Sequence, residues 1–234
     1  MPKTSYEKKI IVLKKNMEED DARTIVEEKK ASILGSALRK PKKDEVHIHS
    51  LTLYYEAILM VSGKYTANFF RKANHEISVD YNVNEVVLGD GVFPIRKKSG
   101  FAKALSKKSK NKVDLPLEEH VYIEEEGEIY FDHHGQEIRF PFKINSKIVE
   151  NYPNKVLENN EKNVKRPEIT YETAIEMLST KLQKPVEPDV RGLKDELIIK
   201  EISEVYVPIY EARLVGPHKK VRLLRLDAIR KKIL

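Results

Sequence analysis

The residues best suited to chemistry in this sequence are the lysines and arginines of one short block. The segment 96–112, RKKSGFAKALSKKSKNK, holds eight basic residues in seventeen and no acidic residue. Like charges at this density repel one another, so the block favours either a solvated loop or a contact with a polyanion. Nucleic-acid phosphates or an anionic membrane surface are such partners. The basic residues of the block are Arg96, Lys97, Lys98, Lys103, Lys107, Lys108, Lys110 and Lys112.

A second basic cluster follows Arg213, and in it Lys219, Lys220 and Arg222 are candidates for contact with the same partner. Lysine and arginine on phosphates position a protein without reading base sequence. Aromatic side chains near Arg71 are candidates for stacking on unpaired bases, although aromatic residues on strands more often pack in a core. The sequence therefore predicts nucleic-acid binding without sequence specificity, with a protein partner as an open alternative.

Histidines supply the other candidate chemistry. His47 and His49 lie two residues apart on a predicted strand, so both point to one face, an arrangement that can seat a divalent metal. Asp132, His133 and His134 resemble, in three letters only, the signature of the phosphoesterase family named after that tripeptide. That resemblance implies a metal-dependent hydrolase. The further aspartate motifs of the family are absent, and the same tripeptide is typical of a polar hairpin loop.

Motifs that cradle nucleotides or activate a nucleophile are missing from the chain. There is no G-x-G-x-x-G, G-x-x-x-x-G-K-[ST], G-x-S-x-G or H-E-x-x-H, and nine glycines in total are few for a nucleotide-cradling fold. The glutamate runs at 118–119 and 124–126 have the spacing of a solvated surface. We therefore expect no cofactor and favour a non-enzymatic binding or adaptor protein, with the metal-dependent hydrolase and a protein-only scaffold as alternatives.

Hydrophobic periodicity predicts the elements that position these residues. Tyr6, Ile10, Leu13 and Met17 have helical spacing, and a second apolar stripe with this spacing follows from 22 to 38. One further helix is expected near 170–184. Between these helices the period is that of strands, with turns at Ser62-Gly63, at Gly89-Asp90-Gly91 and at Asp132–Gly135. The expected fold is α+β: antiparallel sheet with short hairpins, an N-terminal helical pair and the helix near 170–184.

The two ends of the chain also show a faint internal repeat. Lys43-Asp44-Glu45-Val46 matches Lys194-Asp195-Glu196-Leu197, and the same offset aligns Tyr55 with Tyr206. This match suggests a pseudo-two-fold relation between the ends. The sequence then divides into a helical pair with strands at 1–95, a basic loop and acidic hairpin at 96–150, a linker at 151–168 and a helix with strands at 169–234.

Composition limits the class of protein. The chain of 234 residues is 40% hydrophobic and 34% charged, with a net charge of +6. It has no cysteine, which excludes a disulfide framework, a thiolate metal site and a cysteine nucleophile. No apolar run approaches the roughly 18 residues of a membrane span, and no signal peptide is evident. We expect a cytoplasmic protein whose charged, cysteine-free composition is typical of thermophiles.

Overall fold

The computed structural model describes residues 6–35, 41–96, 110–184 and 189–234. These residues form nine strands and three α-helices. In chain order they are β1 (Glu7–Val12), α1 (Glu19–Leu34), β2 (His47–Val79), β3 (Glu85–Leu88), β4 (Gly91–Pro94), β5 (Asn111–Phe131), α2 (Pro153–Asn159), β6 (Val164–Lys165), α3 (Tyr171–Leu182), β7 (Arg191–Val215), β8 (Val221–Asp227) and β9 (Lys232–Ile233).

Seven of these strands form one sheet that is mostly antiparallel. Its order is β5-β2-β7-β8-β9, while β1 pairs in parallel with β7 and β6 pairs in parallel with β2. Strands β3 and β4 form a separate antiparallel hairpin. The expected α+β fold with an N-terminal helical pair is therefore wrong, because one large sheet dominates the described chain.

The first of the two expected N-terminal helices is strand β1. Its residues pair with 201–206 of β7, and its β-branched end, Ile10, Ile11 and Val12, suits a pleated surface. The helical spacing of Tyr6, Ile10 and Leu13 was therefore overridden by a strand partner almost two hundred residues away. The second expected N-terminal helix is confirmed as α1 and the helix near 170–184 as α3.

The sheet is built from long strands, where the sequence predicted short hairpins. Strands β2, β5 and β7 have 33, 21 and 25 residues. Gly63 was expected in a turn but lies inside β2, where a Cβ atom would come within 2.9 Å of the Ile198 carbonyl oxygen. The repeat also fails at its first match, because Lys43–Glu45 is a 3₁₀ turn and the matching residues lie within β7.

The chain divides into two compact units. The first comprises Met1–Lys64, Glu126–Leu182 and Ile198–Leu234, and the second comprises Tyr65–Glu125 and Gln183–Leu197. This division differs from the four segments predicted from the sequence. The segment expected as a linker, 151–168, forms α2 and β6 within the first unit.

The core of the first unit lies on both faces of β7. On one face, Val26 and Leu34 of α1 share a buried cluster with Leu214 of β7. Ala212 of β7 and Leu224 of β8 belong to the same cluster. On the other face Val205, Val207 and Ile209 pack against apolar side chains of the segment 138–149, and these are Ile138, Phe140, Phe142, Ile148 and Val149. The central strand is therefore covered from both sides.

Pro208 lies in β7 between the residues that pair with β1 and the residues that pair with β8. Strand β1 pairs with residues up to Tyr206, and β8 pairs from Ile209 onward. A proline has no N–H to donate, so it is tolerated where the neighbouring strand changes. Its carbonyl oxygen still accepts a hydrogen bond from the Ala228 amide at 3.1 Å.

In the second unit, polar side chains tie β2 to β5. The Asn68 side chain of β2 lies 2.5 Å from His120 of β5. The Glu76 carboxylate, eight residues later in β2, pairs with Lys112, eight residues earlier in β5. Since contacts that come later in β2 come earlier in β5, the two strands run antiparallel. Phe70 stacks on His120 with ring centroids 4.5 Å apart.

The close approach at Gly63 predicts a stability effect. Replacing Gly63 by Ala places a methyl group 2.9 Å from the Ile198 carbonyl oxygen and 3.2 Å from Leu178 Cδ2. Since backbone must move to accept it, we expect the free energy of unfolding to fall by about 2 kcal/mol in urea denaturation. The exposed Ser78→Ala variant on the same strand should change it by less than about 0.5 kcal/mol. Equal midpoints for the two variants would contradict this account.

Candidate functional site

The hairpin formed by β7 and β8 has one buried face and one open face. Ala212 pairs with Leu224, and both are buried in the core beneath α1. The next pair, Arg213 and Leu223, points to the opposite face, because side chains alternate along a strand. Arg213 is exposed, and Leu223 is 55% exposed. This end of the hairpin therefore presents an uncovered sheet face.

The hairpin is strongly basic on either side of its tip. Residues 212–226, ARLVGPHKKVRLLRL, contain five lysines and arginines, one histidine and no acidic residue. Arg213, Lys219 and Arg222 are exposed, and none of the three makes an ion pair within the part of the chain that the structure describes. Arg213 lies on the open face, Lys219 lies at the tip, and Arg222 pairs with Leu214 and so lies on the face that carries α1. Lys220 differs, since its ammonium donates a hydrogen bond to the Leu34 carbonyl oxygen at the end of α1, at 3.1 Å.

The tip of the hairpin has an unfavourable backbone conformation. His218 and Lys219 both have positive φ angles, 57° and 60°. A two-residue tip with positive φ at both positions is usually Asn-Gly, because other residues cost roughly 1 kcal/mol or more each in this region. The Lys220 amide closes the turn on the Pro217 carbonyl oxygen at 3.2 Å. The chain thus keeps two basic side chains where better turn residues exist.

The described residues of the first basic block have a different environment. Arg96 pairs with Asp114 and Glu76, and Lys112 also pairs with Glu76. Their charges are thereby offset inside the second unit. Lys110 is exposed. The remaining candidates, Lys97, Lys98, Lys103, Lys107 and Lys108, lie outside the described residues, so their role stays a prediction.

A buried charge cluster lies on the same face of the sheet as Arg213. Glu56 of β2 is 7% exposed, and its carboxylate accepts a hydrogen bond from the Lys165 ammonium at 2.9 Å. It accepts a second from the Arg225 guanidinium. Glu211, which pairs with Arg225 across β7 and β8, lies 3.6 Å from Lys165. Each of the two carboxylates therefore lies within ion-pair distance of both cations, which come from the outer two of four neighbouring strands.

The sheet register assembles this cluster. Glu56 pairs with Lys165 in the parallel β2–β6 ladder, and Glu211 pairs with Arg225 in the antiparallel β7–β8 ladder. Sequence reasoning placed Arg225 in the basic cluster that begins at Arg213 and singled out none of the other three residues. One signal was present, since Glu56 is the single charged residue in the run from Leu51 to Val61. A charge in such a strand is buried with a partner or marks a site.

His133 lies at the edge of this cluster. It belongs to the turn after β5, in which the Asp132 carboxylate accepts hydrogen bonds from the backbone amides of His134 and Gln136. Gly135 closes the turn with a φ of 83°. The His133 Nδ1 atom is 3.7 Å from the Glu56 carboxylate. Burial lowers the pKa of His133 below 6.5, an effect that Glu56 opposes and that His134 and Lys165 reinforce.

The histidines proposed as metal ligands lie in different surroundings. His47 and His49 are exposed at the start of β2, His133 is buried, and His134 contacts Glu168 at 3.3 Å. Over residues 6–35, 41–96, 110–184 and 189–234, no group of three or more His, Cys, Asp or Glu side chains is arranged to hold a metal ion. The predicted turn at Asp132–Gly135 is present, and His134 is exposed in it.

Comparisons with known proteins found no match among protein-family models, curated proteins or solved structures. None of the helices in the described ranges is long and apolar enough to cross a membrane.

The buried cluster predicts that Glu56 carries stability. Replacing Glu56 by Gln leaves Lys165 and Arg225 without their main counter-charge, so we expect a loss of about 1–3 kcal/mol in the free energy of unfolding. The matched control is Glu137→Gln, which removes a half-exposed pair with Lys181. That change should cost about 0.5 kcal/mol or less. Similar urea midpoints for both variants would show that the buried contacts of Glu56 stabilise the fold no more than an exposed ion pair does.

The lowered pKa of His133 predicts a pH effect on stability. As the pH falls below 6.5, the imidazole of the unfolded chain takes up a proton, whereas the buried imidazole takes it up only at lower pH. The unfolded state then binds more protons, so the free energy of unfolding decreases as the pH falls.

Replacing His133 by Asn should make this decrease shallower. The measurement is urea denaturation of the parent and the variant at a series of pH values from about 7 to about 5. His134→Asn, at an exposed position in the same turn, controls for the loss of an imidazole. Parallel pH profiles for the parent and His133→Asn would contradict the burial effect.

Proposed function

We propose that this protein binds nucleic acid without reading its sequence, through the tip of the β7–β8 hairpin and the exposed cations that flank the tip on its two faces. The observation that carries the proposal is the set of exposed cations Arg213, Lys219 and Arg222 on a stretch with no acidic residue. Unpaired cations release counterions when they neutralise phosphates, which is the main source of non-specific affinity. The binding requires no metal and no cofactor.

The neighbourhood of the hairpin supports this choice of surface. Leu223 and Val221 are 55% and 43% exposed on the face that carries Arg213, so this face offers apolar contact as well as charge. The strained tip at His218 and Lys219 is a second sign, because unfavourable backbone conformations are often retained at binding sites.

Aromatic stacking contributes less than the sequence suggested. Tyr55, Tyr65 and Phe69 are buried, so they belong to the core. The ring of Tyr54 is covered by the Lys165 ammonium, 4.5 Å from its centroid. Electrostatic contact with the phosphate backbone is therefore the main interaction that we propose, and it does not distinguish one base sequence from another.

The test uses the triple variant Arg213→Gln, Lys219→Gln, Arg222→Gln. Binding is measured by fluorescence anisotropy with labelled single-stranded and duplex oligonucleotides of about 20 nucleotides over a salt series. Each lost phosphate contact should reduce the log–log salt slope by about 0.9 on duplex or about 0.7 on single strands. We expect a total reduction of about 2 to 3 on duplex and weaker binding to all sequences alike.

The control removes the same charge elsewhere. Lys143→Gln, Lys147→Gln, Lys155→Gln changes three exposed lysines of the first unit outside the hairpin. It should leave the salt slope nearly unchanged. Equal losses of oligonucleotide affinity in the two triple variants would show that binding depends on the net charge of the protein and not on the hairpin. Parent binding weaker than about millimolar at about 50 mM salt would remove nucleic acid as the partner.

A second variant separates charge from folding. His218→Asn with Lys219→Gly places the preferred residues at the tip, so the free energy of unfolding should rise by about 1 kcal/mol. Its affinity for the oligonucleotides should nevertheless fall, because the Lys219 ammonium is lost from the tip. A variant that is more stable and binds as well as the parent would exclude the tip from the interface.

A further inference from the structure

A cleft of about 150 Å³ lies beside the Glu56 cluster in the first unit. Most of its wall is apolar and comes from β2, from β7 and from the segment 138–142 that covers them. The apolar wall is formed by Ala57, Ile58, Ile138, Phe142, Val207 and Ile209. The nucleic-acid proposal makes no use of this cleft.

One buried polar side chain lines the cleft without a hydrogen-bond partner. The His133 side chain is 9% exposed, and it makes no hydrogen bond to any described residue. Its Nδ1 atom is the nitrogen near the Glu56 carboxylate, at 3.7 Å. A proton on Nδ1 is therefore favoured, and this tautomer leaves Nε2 as a hydrogen-bond acceptor.

The charges around the cleft leave one carboxylate without a cation. Glu56 is matched by Lys165 and Arg225. Asp227 is matched by Arg230, whose Nε atom donates to it at 2.6 Å.

Asp132 also lines the cleft. Its Oδ1 atom accepts two backbone amides, and its carboxylate pairs with no cation within the described residues. The His133 ring and the Asp132 carboxylate thus both accept hydrogen bonds, and the unpaired charge is negative.

We propose that this cleft binds a small primary amine, with the ammonium group at His133 and Asp132 and a short alkyl chain against the apolar wall. An ammonium group supplies three donors and one positive charge, which complement the His133 acceptor and the negative charge of Asp132. A cleft of this volume holds a molecule the size of about five waters, which corresponds to an alkyl chain of about four carbons with its head group.

The position of Arg230 is consistent with a cationic ligand. Its guanidinium is bonded to the buried Asp227 and packs over the Phe142 ring, 5.0 Å from the centroid. Its charge is therefore paired before any ligand enters. A carboxylate ligand would face Asp132 and the lone pair of His133, and both repel it.

The experiment compares three probes that share one chain: n-butylamine, n-butyrate and n-butanol. At neutral pH the amine carries a positive charge, and the other two are negative and neutral. Binding is followed by the imidazole Hε1 resonance of His133, which is assigned with the His133→Asn variant. We expect butylamine to shift this resonance saturably with a Kd of about a millimolar, and butyrate to leave it in place.

A charge variant tests the role of Asp132. Asp132→Asn keeps an oxygen that accepts the two turn amides but removes the negative charge, so butylamine affinity should fall about tenfold. Asp90→Asn, at an exposed turn in the second unit, should leave it unchanged.

Three results would overturn the proposal. These are a butyrate shift as large as that of butylamine, equally tight binding of butanol, or no shift of His133 up to about 50 mM butylamine. The comparison of the three probes uses the parent protein, so it tests amine binding even if a variant does not fold stably.

Discussion

Burial of β7 on both faces is the constraint on which the described first unit depends. From Val205 to Tyr210 every residue of the strand is buried. Val205, Val207 and Ile209 enter the cluster under the segment 138–149, whereas Tyr206 packs in a cluster with Leu157 of α2 and Tyr210 in the cluster under α1. Each buried Val or Ile contributes about 1.5–3 kcal/mol. Such a strand needs hydrogen-bonding partners along its length, and β1, β2 and β8 provide them. Pro208 fits only because the partner changes there.

The same alternation produces the two candidate sites. Beyond Tyr210 the face that carried Val205, Val207 and Ile209 continues as Glu211 and Arg213. Glu211 is still close enough to the covered region to join the Glu56 cluster. Arg213, one step further, is exposed. A single strand therefore passes from apolar core to paired charge to unpaired charge, and the period of two keeps all of them on one face.

The treatment of charge differs between these regions. At Glu56, where water is largely excluded, each carboxylate has a cation within ion-pair distance, as the cost of burying a charge requires. In the second unit, Arg96 and Lys112 are also offset by acidic neighbours. On the hairpin, Arg213, Lys219 and Arg222 have no such neighbour among the described residues. This contrast is the physical reason for proposing the hairpin as the surface that contacts an anionic partner.

Local sequence was sufficient for elements whose stability is local. Helix α3 has an apolar stripe, and at its start the Thr170 hydroxyl accepts a hydrogen bond from the Thr173 amide at 3.2 Å. Both features can be predicted from the local sequence. The turn at Asp132–Gly135 needs an aspartate that accepts backbone amides and a residue that tolerates positive φ, so its residues predict it. The basic character of the β7–β8 hairpin is likewise a property of composition.

Long-range pairing decided the rest. The apolar residues of β1 have helical spacing, but pairing with β7 makes this segment extended. Gly63 lies inside β2 rather than in a turn, at a position where the Ile198 carbonyl oxygen leaves no room for a side chain. The Glu56 cluster joins residues 56, 165, 211 and 225, which only the register of four strands brings together. The sequence alone determined which residues carry charge. The tertiary structure decided which charges are paired, because pairing depends on neighbours that are distant along the chain.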